Sequence, residues 1–372
     1  GVPLTRTRPV RRLLPLVVAV GVIASTVGCS ADDGGSSASS STVGRSKVDD
    51  SAVLAGVVDE LVVPNYRTLE GSLTAWSFEL GEMCREPGAE RLAEARKGWA
   101  EAVELYEKTV SHDVGPAMDL RFMSDIAFAP RAASIDKLIA GTDPVDKDAM
   151  AERGANVRGL YSAEHALFGE ASQELTGPEG ARRCQYLASI GDLALDAATA
   201  VTEAWRSGGG RQEFLAADGS DPEDALPQLL NSVTHAVKAV DEKGLRDMAA
   251  AETYQDLPDT RIDGPGAFGI GRRKARLDGA VAVIGEGDGG LVAIVASRSP
   301  ETAQRLETAA EAAAEAVDRL PDAVADTFAT PEAAADLDAA AKAVAALKVV
   351  LATEVAGQLG VTITLSDSDG DS

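Results

Sequence analysis

The sequence predicts an all-α protein made of two four-helix bundles packed side by side. Three observations carry this. Of 372 residues, 45% are hydrophobic but only 4% are aromatic. Alanine, leucine and glutamate are strong helix formers, whereas strand-rich folds draw on β-branched and aromatic residues. Apolar residues also recur at helical spacing: Cys184, Leu187, Gly191, Ala194, Ala198, Val201 and Trp205 form one stripe. Third, Asp221-Pro-Glu, Ser299-Pro-Glu and Thr330-Pro-Glu each offer an N-cap side chain, a proline at N1 and an acid for the helix dipole.

Taken in order, the first helix is expected over Asp50–Glu86, with Pro64 as a kink. The second covers Ala89–Val110. The third is broken, over Met118–Ala140 and Lys147–Phe168, with Pro130 and Gly141 as interruptions. The fourth starts near Ala181 and ends at Gly208-Gly-Gly210. The three capped helices follow, with one more within Ala267–Ile284. The last carries Leu337, Ala341, Val344, Leu347, Leu351 and Val355 and stops at Gly360. Four helices before the glycine break and four after it place the bundles at 48–210 and 211–372.

Arg6, Arg8, Arg11 and Arg12 precede an apolar run from Leu13 to Val27, too short for an ordinary membrane span. The run ends in Ser25-Thr-Val-Gly-Cys29-Ser. Small residues directly before a cysteine resemble the lipobox of bacterial lipoproteins, so residues 1–28 read as a signal peptide and Cys29 as the lipidated N-terminus. Residues 29–47 are then a Ser/Gly-rich tether that spans about 25 Å. This predicts a chain anchored to the membrane through lipid and facing away from the cytoplasm. Loss of residues 1–28 removes four arginines and no acid, which moves the formal charge from −24 to −28. Such a surface argues against nucleic acid as a partner, because phosphate binding needs a basic face.

With Cys29 lipidated, Cys84 and Cys184 remain. Two cysteines in an exported chain are expected to be bridged; two buried free thiols are the alternative.

Two motif matches carry no function. Gly285-Glu-Gly-Asp-Gly-Gly290 fits G-x-G-x-x-G, but no βαβ unit surrounds it and its two acids would repel a pyrophosphate. Asp367-Ser-Asp-Gly-Asp371 starts like a calcium loop, yet the sequence given stops at Ser372, short of a twelfth-position glutamate. No G-x-S-x-G, H-E-x-x-H or C-x-x-C occurs.

The segment Arg158-Gly-Leu-Tyr-Ser-Ala-Glu-His-Ala-Leu-Phe-Gly169 is the most informative. Tyr161, Glu164, His165 and Phe168 follow helix spacing and share one face. A carboxylate and an imidazole on an otherwise apolar stripe are costly unless paired or liganded. This segment, with Arg182-Arg-Cys-Gln-Tyr-Leu187, is similar to a pattern of the imelysin-like family of exported bacterial proteins. Val63-Pro-Asn-Tyr-Arg-Thr-Leu69, Gly115-Pro116, Phe128-Ala-Pro130 and the ending from Leu359 to Asp371 match in the same order.

The resemblance implies two four-helix bundles, attachment outside the cytoplasmic membrane and a role in iron acquisition with metal-uptake partner proteins. It also implies a metal-associated motif, G-x-H-x-x-E, in a cleft between bundles. Gly159 and Glu164 match it, but Tyr161 stands at the histidine position.

Three functions are consistent with these residues. The first is metal binding, iron favoured or another divalent or trivalent ion, by Glu164, Tyr161 and His165, because phenolate and carboxylate oxygens suit a hard ferric ion. Glu70, Asp119 and Asp125 are candidates for the missing ligands. A tyrosine packed in the core with its hydroxyl satisfied by Glu164 is the alternative for the same residues. The second function is a metallopeptidase, which needs an open metal position, a water and a general base that the motif does not supply in full. The third is a non-catalytic helical module that binds protein or polysaccharide. His112 and His235 read as surface or structural residues.

Overall fold

The computed structural model describes residues 49–216, 221, 223–253, 257 and 269–364. The expected targeting segment, Cys29, the expected tether and the calcium-loop-like tail lie outside the described residues. The helices are α1 Asp50–Val57, α2 Val63–Arg85, α3 Ala89–Thr109, α4 Pro116–Asp119, α5 Phe122–Ile126, α6 Ala132–Ala140, α7 Lys147–Ala151, α8 Leu160–Phe168, α9 Ala181–Arg206, α10 Gly210–Leu215, α11 Ala225–Val240, α12 Arg246–Ala250, α13 Gly269–Ile284, α14 Gly290–Ala296, α15 Pro300–Asp318, α16 Pro331–Val349 and α17 Ala356–Leu359. No strand occurs among the described residues, and the all-α expectation holds. None of these helices is long and apolar enough to cross a membrane.

Packing follows the apolar stripes. In the first half, α2 lies between α3 and α9, and α8 rests on α3 and α9. In the second, α13 packs on α11 and α15, and α15 on α16. The groups meet where α13 lies along α3. Gly279 allows that approach: a Cβ there would stand 2.2 Å from the Lys108 carbonyl oxygen. One continuous core runs from Leu54 to Ala356, with Trp76, Trp99 and Trp205 fully enclosed.

The expected kink at Pro64 is a π turn. Val58–Val62 is π-helical and Pro64 opens α2. Proline cannot donate to the preceding turn, and a widened turn absorbs that missing bond. Ser299 and Thr330 cap as expected, accepting from the backbone N–H of Thr302 and Ala333. Asp221 does not start its helix. Its carboxylate accepts from Glu223 N, and α11 begins later, behind Asp224. The glycine run 285–290 is a turn between α13 and α14, so a helix precedes it where a nucleotide site would need a strand.

The largest departure is the third helix. Instead of two long pieces, 116–168 forms short helices α4 to α8. Arg121 sits at φ 54°, which ends α4. Pro130, Gly141 and Pro144 break the remainder. The carbonyls this frees are satisfied by side chains from longer helices. Arg182 donates to the Leu138, Ile139 and Asp143 carbonyls, Tyr186 to Val157, Trp99 to Leu160 and Arg96 to Leu167. Buried backbone groups must find such partners. The Arg182–Tyr186 motif is thus a clasp on irregular chain.

The expected disulfide is present: Cys84 at the end of α2 bonds Cys184 in α9, with Cα atoms 5.4 Å apart. It closes a separation of 100 residues. Breaking it, as Cys84→Ser/Cys184→Ser, should lower unfolding free energy by roughly 4–5 kcal/mol in the chain-entropy account, read by urea denaturation. Intact mass before and after reduction should differ by two hydrogens; two alkylatable thiols in unreduced, unfolded protein would contradict the bond.

Candidate functional site

The motif glutamate and tyrosine lie at the junction of α3, α8 and α13, where three charged side chains are buried and a fourth, Arg276, is partly buried. Helix α3 contributes Glu107, 1% exposed, in line with the apolar stripe of Trp99, Val103 and Tyr106. Helix α8 contributes Tyr161 and Glu164, each 6% exposed. Helix α13 contributes Arg272 and Arg276, one turn apart. Gly159 starts α8 at φ 85°, and a Cβ there would stand 2.4 Å from the Ile126 carbonyl oxygen. The glycine of the motif is therefore required by a close passage of α8 over the end of α5.

Glu107 is engaged on both oxygens. Tyr161 Oη donates to its Oε1 at 2.5 Å, and Arg276 Nε donates to its Oε2 at 2.7 Å. Arg276 Nη2 also lies 2.6 Å from Glu107 Oε2 and 3.3 Å from the Tyr161 hydroxyl. Arg272 Nη1 stands 3.2 Å from Glu164 Oε2. Its guanidinium covers the Tyr161 ring at 4.9 Å, and Tyr106 meets that ring edge-on at 6.1 Å. Burial, then the Glu107 carboxylate, holds the Tyr161 phenol well above the usual tyrosine range. It is a neutral donor here.

His165 turns away from this network. Its Nε2 lies 2.8 Å from Asp136 Oδ1 on α6, and the pair is half exposed. Phe168 packs on Trp99 at 5.1 Å under the Arg96 guanidinium. The face expected to carry Tyr161, Glu164 and His165 as ligands thus splits: Tyr161 and Glu164 meet the charged junction, His165 meets α6. Glu70 accepts from Thr199, Asp125 pairs with Arg158 and Asp119 is exposed. Among the described residues no group of three or more histidine, cysteine, aspartate or glutamate side chains could hold a metal ion.

The residues present do not fit a metal ion. A ligand phenolate would require deprotonation of a phenol whose acidity is suppressed. A divalent ion within about 4 Å of a guanidinium would meet a repulsion of about 8 kcal/mol at an effective dielectric of 20. Freeing a carboxylate from a buried ion pair costs roughly 3–5 kcal/mol more.

Glu107, Arg272 and Arg276 are not among the residues to which the motif points. Their signal was there: each is a charged residue on an apolar helical stripe. Glu107 lies four after Val103, and Arg272 and Arg276 continue the spacing of Gly279, Ala280 and Val283. The two acid–base pairs are on separate helices, and single-helix periodicity does not connect them.

A second buried polar cluster sits where α3 ends. His112 is fully enclosed; its Nε2 lies 2.8 Å from the Asn65 amide and its Nδ1 3.2 Å from Ser111 Oγ. Burial lowers its pKa to about 4, so it is neutral and structural. His235 is partly buried on α11. Asp113 follows, its backbone N–H donating to Ser232 Oγ, and burial pushes its carboxyl up to about 6.

Relatives place the chain. The family model described as Imelysin (Peptidase M75) matches residues 62–351. The chain is 25% identical over 324 residues to Iron-regulated protein A of Synechococcus elongatus, covering 81% of this chain and 84% of that one. Its fold is similar to a crystal structure of an imelysin-like protein from Psychrobacter arcticum (TM-score 0.69, 15% identity, 85% of this chain and 96% of that one). It is also similar to that of a putative iron-regulated protein A precursor from Parabacteroides distasonis (TM-score 0.65, 18% identity, 85% and 97%).

The Asp113 carboxyl titrates above its unfolded value near 3.9, so its contribution is present at low pH and lost as pH rises through about 6. Asp113→Asn should therefore stabilise the protein by about 1–3 kcal/mol at pH 8 and by far less near pH 4. Urea denaturation at the two pH values checks this; an advantage that grows toward pH 4 would contradict it. His112 has the opposite sign: its neutral form loses stability as pH falls from 6.5 toward 4.

Proposed function

The chain belongs to the imelysin family, and from that premise we propose that it is a lipid-anchored module outside the cytoplasm, serving iron acquisition through contacts with partner proteins. In this reading it is not a peptidase. One observation carries this reading: the motif glutamate, Glu164, faces the Arg272 guanidinium at 3.2 Å. A catalytic metal needs an open coordination position, a water and a free base. Here the carboxylate is held by a cation of the protein itself.

Three further features support the placement and role. The arginine-led apolar segment ends at Cys29. The Cys84–Cys184 bond belongs to an oxidising compartment. The similarity to an iron-regulated protein supports the link to iron.

Two measurements test the proposal. Purified protein incubated with casein and a peptide library should give no chelator-sensitive cleavage; cleavage abolished both by chelator and by Glu164→Gln would establish the peptidase instead. In cells fed an alkynyl fatty acid, the parent should label and fractionate with membranes, and Cys29→Ala should do neither. Equal membrane association of the two would remove the lipid anchor.

A further inference from the structure

We infer that Arg272 is the resident cation of the motif: its guanidinium takes the place beside Glu164 that a metal ion would need, so the α3–α8–α13 junction is closed without metal. The inference rests on the non-catalytic reading above and gives the physical reason for it.

Among the described residues the charges at the junction balance. Two carboxylates, Glu107 and Glu164, face two guanidinium groups, Arg276 and Arg272, at 2.6 Å and 3.2 Å. Tyr161 beside them is a neutral phenol that donates to Glu107. Among the described residues this leaves no net negative charge for a divalent or trivalent ion to neutralise. An incoming ion would have to expel an arginine from a position only 6% exposed.

Tyrosine at the third motif position belongs to the same arrangement. A neutral imidazole would present a nitrogen lone pair to a cation. The phenol instead presents a proton to the glutamate and an aromatic face to Arg272, which stacks on it at 4.9 Å. Arginine suits this role better than lysine: its planar group stacks on the ring while its charge faces the carboxylate. Tyr161, Arg272 and Arg276 are thus one device in three parts. It joins a helix pair of the first half to a helix of the second.

The test uses the mature protein with Zn²⁺, Mn²⁺ and ferric citrate as probes. After loading and desalting, the parent should retain far less than one equivalent of any metal, with an unchanged thermal midpoint. Arg272→Ala should have a lower midpoint, and low-millimolar methylguanidinium should raise it while leaving the parent unmoved. Metal should raise it as well, by about 3 °C, and that response should vanish in Arg272→Ala/Glu164→Gln. Arg272→Met, which keeps the apolar stem, takes the same role should the alanine variant not fold.

One equivalent of metal on the parent, lost in Glu164→Gln, would overturn the inference. So would a folded Arg272→Ala as stable as the parent and indifferent to methylguanidinium and metal. Metal retained without proteolysis sinks this inference alone; chelator-sensitive proteolysis sinks the functional reading.

Discussion

The contact on which the molecule depends is the buried carboxylate Glu107 of α3, held by Tyr161 of α8 and Arg276 of α13. It is a three-helix joint. Two of the helices come from the first half of the chain and one from the second. An isolated ionised carboxylate at 1% exposure would be prohibitively costly. The joint therefore exists only when all three helices are in place. That requirement couples the halves: α3 cannot be buried correctly until α13 supplies its cation.

The same logic governs the irregular segment between α3 and α9. Chain broken by prolines, glycines and a left-handed Arg121 frees carbonyls that a helix would have used. Side chains of α3 and α9 take them up: Trp99, Arg96, Arg182 and Tyr186 each reach a carbonyl more than two dozen residues away. The motif helix α8 thus hangs from α3 and α9 at several points before its own charges are matched. Its orientation is over-determined, so the Tyr161–Glu107 and Glu164–Arg272 contacts form at one geometry.

What was legible in the sequence follows the range of the interactions. Helices whose stripes and caps are local start where expected: α9 at Ala181, α15 behind Ser299 and α16 behind Thr330; the expected cysteine pair is also bridged. The fragmentation of 116–168 was under-read, because the backbone tolerates it only with partners far along the chain. The site was half legible. Gly159, Tyr161 and Glu164 were visible as a motif, but their meaning depends on Glu107, Arg272 and Arg276, which lie 54 residues before Tyr161 and more than a hundred after it. His165 was grouped with them by helical spacing alone, and a helix face of three to four residues per turn is wide enough to serve two neighbours.

A buried ion pair is weak evidence for stability, since well-packed apolar residues often do as well. The reason to keep one is specificity. Apolar side chains at 107, 161, 272 and 276 would let α13 slide along α3 by a turn with little penalty. Paired charges do not allow this: Arg272 and Arg276 are one turn apart, so a shift that brought Arg272 to Glu107 would strip Glu164 of its cation and move Arg276 off its carboxylate. Gly279, pressed against the Lys108 carbonyl, sets the separation of the two helices, and Arg276 sets their register. A metal ion could in principle hold the same register, but only while the ion was present. Arginine makes the register a property of the chain, independent of any metal supply.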